Sequence, residues 1–209
     1  MLANLFDPKW WYMEIPRTGS STLDRALFQV LPGAVSLYQK HWPILPTPFL
    51  DPNAPDVTGI VSIRNPYSRA VSCWQFFTKP GSISFRDWTR ERLIQGFVNL
   101  QIEARPQSFW FNLHKWEAVI RQDHLEDDFW AAVHSMYPDI PRKDITRYND
   151  INGDWNNRAG FKTSRPNPWH TYYCEESLNN VAVIYDTDFE CLEQWYSRDF
   201  SEAISGSKS

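Results

Sequence analysis

Arg17, His41, Arg64 and Ser72 are the residues whose types and spacing could carry chemistry in this chain of 209 residues. Arg17 opens the run Arg17-Thr18-Gly19-Ser20-Ser21-Thr22, where one glycine is followed by three consecutive hydroxyl side chains. A tight turn at a glycine aims several backbone N–H groups at one point, and a helix that starts there adds partial positive charge. Ser20, Ser21 and Thr22 add hydroxyl donors, and Arg17 adds a fixed cation able to grip an anion through two N–H groups. Arg64 and Ser72 stand eight residues apart in Arg64-Asn65-Pro66-Tyr67-Ser68-Arg69-Ala70-Val71-Ser72. His41, in Lys40-His41-Trp42, precedes Arg64 by 23 residues. A neutral imidazole with a pKa of about 6.5 suits a general base. Glu14 and Glu103 are weaker candidates for that task.

The elements that must hold these residues can be read from the same sequence. Trp10 to Ile15 reads as a buried strand stopped by Pro16. Leu23, Leu27, Val30 and Leu31 then fall on one helical face, and Pro32-Gly33 ends that helix. Ala34 to Tyr38 is a further strand candidate, and five prolines between Pro43 and Pro55 mark an extended loop. Thr58 to Ile63 is the clearest strand signal, with Arg64 at its C-terminal end, where α/β sheets bind ligands. Pro66 stands at a first-turn position, and Tyr67, Ala70, Val71, Trp74 and Phe77 follow at helical spacing. Ser84 to Gln95 predicts a helix capped by Ser84. Trp116 to Ile120 predicts a strand, and Leu125 to Met136 and Glu175 to Tyr196 predict helices. Asn149 to Trp169 is polar and rich in Asn, Gly and Pro, and reads as a surface loop. Strands alternating with helices predict an α/β fold with a central parallel sheet, in a single domain over residues 1–209.

A nucleoside-triphosphate P-loop needs Gly-Lys-Ser/Thr and an acid at the end of a neighbouring strand. The first loop has no lysine, and the strand Thr58 to Ile63 ends in Arg64. Together the two motifs resemble those of the sulfotransferases that use 3′-phosphoadenosine-5′-phosphosulfate (PAPS). Pro16 to Thr22 looks like their 5′-phosphosulfate loop, and Arg64 to Ser72 like their 3′-phosphate motif. The resemblance is nearest to the carbohydrate-type branch that includes heparan and chondroitin sulfotransferases, and strongest over residues 12–78. A looser likeness covers Trp169 to Trp195, where Tyr172-Tyr173 precedes a helix and then Asp188-Phe189.

The resemblance implies a P-loop-like three-layer fold and sulfuryl transfer from PAPS to a sugar or small-metabolite acceptor, leaving adenosine 3′,5′-bisphosphate. It implies that the amides of Thr18, Gly19, Ser20, Ser21 and Thr22, with the Ser21 and Thr22 hydroxyls, hold the 5′-phosphosulfate. Arg64 and Ser72 would hold the 3′-phosphate. His41 falls in the interval where some carbohydrate sulfotransferases have a catalytic histidine. Arg17 stands where the family usually has lysine; it keeps the charge but, with a pKa above ~12, does not donate a proton. That departure supports the alternative of a non-catalytic nucleotide-binding protein. A P-loop small-molecule kinase is disfavoured by the missing Gly-Lys-Ser/Thr.

Composition sets the outer bounds. Lys plus Arg number 21 and Asp plus Glu 25, a formal charge of −4 that argues against a nucleic-acid coat. No apolar run approaches a membrane span of about 20 residues. Cys73, Cys174 and Cys191 form no Cys-x-x-Cys pair, and the five histidines show no metal-binding spacing. These features predict a cytoplasmic protein without a structural metal. The chain carries 11 Trp, 9 Tyr and 13 Phe. Trp10, Trp11, Trp74, Phe77, Trp88, Trp110 and Phe111 are expected in the core. Trp42, Trp155, Phe161 and Trp169 fall in loops and are candidates to stack on adenine or a sugar. Lys162, Thr163 and Arg165 are candidates to reach the nucleotide.

Overall fold

The structure is a computed structural model. It describes residues 2–4, 10–31, 34–36, 58–78, 81–93, 104–112, 115–145 and 167–205. His41, Trp42, Glu103, Trp155, Phe161, Lys162, Thr163 and Arg165 lie outside the described residues, as do the loop Pro43 to Pro55 and residues 149–166. The chain divides into two compact units, residues 1–63 with 110–148, and residues 64–109 with 149–209.

The first unit is built on a five-stranded sheet. Its strands are β1 (Leu2–Asn4), β2 (Trp10–Met13), β3 (Ala34–Ser36), β4 (Thr58–Ile63) and β5 (Ala118–Arg121), in the order β3-β1-β2-β4-β5. β2, β4 and β5 run parallel, with Tyr12 beside Ile60 and Ile60 beside Ala118. These three strands form the central parallel sheet that the alternation of strands and helices predicts, and the strands at one edge depart from it. β1 pairs antiparallel with both β2 and β3, so the sheet is mixed. Three residues carry too little periodicity to announce a strand, which is why β1 escapes a reading by pattern.

Side chains on a strand alternate between faces, so Trp10, Tyr12, Ile60 and Ile120 fall on one face. That face is covered by α1 (Ser20–Val30) and by α4 (Leu125–Met136), which has the bounds its periodicity predicts. Leu23, Ala26, Leu27 and Leu31 from one segment meet Leu125, Phe129, Trp130 and Val133 from the other in a continuous core. Arg121 fastens the end of β5 to α4. Its guanidinium holds both carboxylate oxygens of Asp128 at 2.8 and 2.9 Å, and its backbone N–H donates to the same carboxylate. Trp11 points to the opposite face and packs on Trp116 at a centroid distance of 4.9 Å.

The second unit is helical among the described residues. It comprises α2 (Pro66–Phe77), α3 (Phe85–Trp88), α5 (Glu175–Ile184), α6 (Asp186–Cys191) and α7 (Phe200–Ser205). α3 is capped by Ser84, whose hydroxyl accepts the Asp87 N–H, and passes into a π-helical turn at Thr89–Leu93. The long helix expected over Glu175 to Tyr196 breaks at Tyr185 into α5 and α6. Much of the aromatic content is in this core. Tyr67 packs against Tyr173, Phe189 and Phe200 at 4.8–5.5 Å between ring centroids, mostly edge to face. Trp169, a candidate for stacking on a ligand, packs against Tyr173 and Phe200 here. No helix among the described residues is long and apolar enough to cross a membrane.

Candidate functional site

The first candidate loop joins β2 to α1. Arg17 and Gly19 both adopt left-handed backbone, with φ of +66° and +89°. A glycine takes this conformation at no steric cost, whereas a residue with a Cβ loses about 1–2 kcal/mol, so Arg17 is held there by its surroundings. Gly19 is constrained by packing as well. A Cβ on it would lie 3.2 Å from Leu125 Cδ1 and 3.4 Å from Gln122 Cγ.

Thr18 lies between these two residues and is fully buried. Its hydroxyl donates to the Ile15 carbonyl at 2.8 Å and lies 2.6 Å from Ser62 Oγ on β4. Ser62 Oγ in turn lies 2.7 Å from the Tyr12 hydroxyl on β2. Each hydroxyl has a single proton, so the direction of the chain follows. With Thr18 committed to Ile15, Ser62 must donate to Thr18, and Tyr12 must donate to Ser62. Burial, reinforced by the charges of Asp24 and Glu14, holds the Tyr12 phenol well above its ordinary pKa, so it stays protonated as this role requires. Two strands of the sheet thus pin the turn from beneath, and Thr18 can offer a ligand its main chain but not its hydroxyl proton.

α1 starts directly from this turn. The Gly19 carbonyl accepts the N–H groups of Thr22 and Leu23, at 3.0 and 3.2 Å. Glycine provides no side-chain cap, and the first turn of α1 has no acidic residue. The positive end of the helix dipole therefore meets the turn without a carboxylate from its own first turn to offset it. Ser20 and Thr22 are buried, while Ser21 and Arg17 are partly exposed. Residues 17–22 thus form the turn after β2 and the first turn of α1. Glu14, just before the turn, is buried at 3 % exposure, which argues against a base that must meet an acceptor from solvent.

The second candidate segment leads from β4 into α2. Asn65 caps the helix, its Oδ1 accepting the N–H groups of Tyr67 and Ser68 at 3.0 and 3.3 Å, with Pro66 in the first turn. Arg64 Nε donates to Ser68 Oγ at 2.9 Å, which fixes the plane of the guanidinium. Ser68 lies four residues before Ser72 on α2, so the two share one face of the helix, and Arg64, ahead of the N-cap, meets Ser68 through its Nε. Ser72 is buried in the second turn.

Reading by motif misses Ser68, although its spacing is visible, and also misses Tyr12, Ser62 and Gln107. These three act across strands and loops, and no local pattern marks them. Asp188, noted only within a loose likeness, is fully buried in α6 beneath this segment. Burial raises its carboxyl pKa, while the Arg69 charge and the backbone N–H groups of Ser108 and Gln107 oppose the rise. Arg69 is itself fully buried, with its guanidinium carbon 5.6 Å from the Tyr185 ring centroid.

A shallow pocket of about 220 Å³ among Phe189, Glu190, Glu193, Tyr196, Ser197 and Arg198 contains none of the candidate residues. Compared with protein-family models, with curated proteins and with solved structures, the chain matches none.

Proposed function

We propose that the chain is a metal-independent sulfotransferase that moves a sulfuryl group from PAPS to a hydroxyl or amine of a sugar or small-metabolite acceptor. It would do so within a P-loop-like three-layer α/β fold, in the cytoplasm. The observation that carries the proposal is the turn Arg17–Gly19. Two left-handed residues in three, pinned by hydroxyls from the sheet and opening a helix with no first-turn acid, are suited to a dense anion. The residues fit PAPS better than a metal–triphosphate pair, because the loop has no Gly-Lys-Ser/Thr and β4 is followed by Arg64.

In this reading the main chain of Thr18 to Thr22 and the hydroxyls of Ser21 and Thr22 would hold the 5′-phosphosulfate, the Thr22 N–H being shared with the Gly19 carbonyl. Arg64 and Ser72 would hold the 3′-phosphate. PAPS, when bound, supplies a sulfuryl group joined to a phosphate leaving group. Arg17 keeps its proton at any working pH and so stabilises negative charge without acting as an acid. His41 would take the proton of the acceptor hydroxyl at an imidazole nitrogen, a contribution of about 10²–10⁴-fold to rate.

The test is thermal stabilisation by adenosine 3′,5′-bisphosphate without magnesium, set against ATP with magnesium, followed by sulfate transfer from labelled PAPS to a panel of glycans and metabolites. The expected result is a larger rise in Tm with the bisphosphate, together with a labelled product. Equal or greater stabilisation by ATP with magnesium overturns the proposal. Stabilisation by the bisphosphate with no labelled product identifies the non-catalytic alternative.

A further inference from the structure

An arginine that reads a phosphate is only as well placed as the backbone carrying it. Arg64 sits between β4 and α2, and a single side chain engages both of its main-chain polar groups. Gln107 Oε1 accepts the Arg64 N–H at 2.9 Å, and Gln107 Nε2 donates to the Arg64 carbonyl at 2.8 Å. The amide thus imitates a neighbouring strand for one residue. Gln107 is fully buried, and Arg64 is only 6 % exposed.

The segment presenting Gln107 is itself anchored. Asp188 Oδ1 accepts the Ser108 N–H at 2.7 Å, and the hydroxyls of Ser108 and Thr187 lie 2.9 Å apart. At its other end the Arg64 side chain is fixed by Ser68. An arginine needed only for solubility requires none of these constraints, whereas a donor that must meet a phosphate at a set angle requires all of them.

We infer that Gln107, anchored through Asp188, is the positioning residue that aims Arg64 and thereby sets a preference for nucleotides carrying a 3′-phosphate. The inference rests on the proposed reading of Arg64 as an anion ligand. Gln107 needs no contact with the nucleotide for this role, because it acts through the Arg64 backbone.

The experiment measures dissociation constants by calorimetry for adenosine 3′,5′-bisphosphate and adenosine 5′-phosphate, on the wild-type chain, Gln107→Leu and Gln107→Glu. The wild type is expected to prefer the bisphosphate. Gln107→Leu should reduce that preference about tenfold while leaving the monophosphate within about twofold, since it removes a buried pair of hydrogen bonds. Gln107→Glu keeps the acceptor for the Arg64 N–H and loses the donor to its carbonyl, so it should fall between the two. A folded Gln107→Leu that keeps the full preference overturns the inference, as does an equal loss for both nucleotides, which marks a structural role only. If the leucine variant does not fold, the isosteric glutamate variant decides on the same criterion. A wild type without any preference refutes the reading of Arg64 and this inference together, whereas a preference that survives substitution refutes the inference alone.

Discussion

The two candidate loops occupy the same topological position, from a strand through a turn into a helix, and are held in opposite ways. The turn at Arg17–Gly19 is strained, uncapped by any side chain and pinned by hydroxyls of Tyr12 and Ser62. The turn at Arg64–Pro66 is free of left-handed backbone, and Asn65 closes the first turn of its helix. The amides of Tyr67 and Ser68 are bonded to the Asn65 side chain, and Arg64 just before the cap is bonded through Nε to Ser68. The difference teaches that one strand–turn–helix plan can be held either by a left-handed turn pinned from the sheet or by a side-chain cap. The first turn has glycine at its N-cap and the second has asparagine.

The contrast can be broken by substitution, and the largest effect should come from beneath the second loop. Asp188→Ala removes the carboxylate that offsets the buried Arg69 charge and accepts the Ser108 N–H, at an expected cost of about 3–5 kcal/mol in urea unfolding. A cost below about 1 kcal/mol would show that solvent reaches Arg69 and that the second loop does not depend on this anchor.

A smaller effect separates the two caps directly. Gly19→Ala forces a Cβ into left-handed backbone against Leu125 and should cost about 2 kcal/mol. Asn65→Ala removes a side-chain cap and should cost about 1 kcal/mol. Equal urea midpoints for the two variants would erase the distinction between a strained and a capped turn.

The smallest expected change has the opposite sign. Arg17→Gly relieves the penalty of a left-handed arginine but adds freedom to the unfolded chain, for a net gain of about 0.5 kcal/mol. The same variant should bind adenosine 3′,5′-bisphosphate more weakly. A loss of stability in place of the gain would mean that the Arg17 side chain helps to hold the turn.

Legibility in the sequence followed physical range. The strand Thr58 to Ile63 and the helix Leu125 to Met136 have the bounds that their patterns predict, because each buries a regular face against one core. The break at Tyr185 was not legible. Tyr185 is fully buried, and its hydroxyl donates to the Ala104 carbonyl, a contact 81 residues away that no helical periodicity contains. Arg17 to Thr22 and Arg64 to Ser72 were visible as motifs because their spacing is local. Ser62 and Gln107 were not, since each works through a partner more than 40 residues distant.

By itself, then, the sequence determined where helices and strands alternate and which hydroxyls, arginines and glycine share a turn. Those properties depend on neighbours within a few residues. Only the tertiary structure decided that the Thr18 hydroxyl is committed to the Ile15 carbonyl, that the sheet is mixed at one edge, and that the Arg64 backbone is held by a buried amide. Hydrogen-bond direction and burial are set by groups brought together across the fold, and no spacing along the chain encodes them one residue at a time.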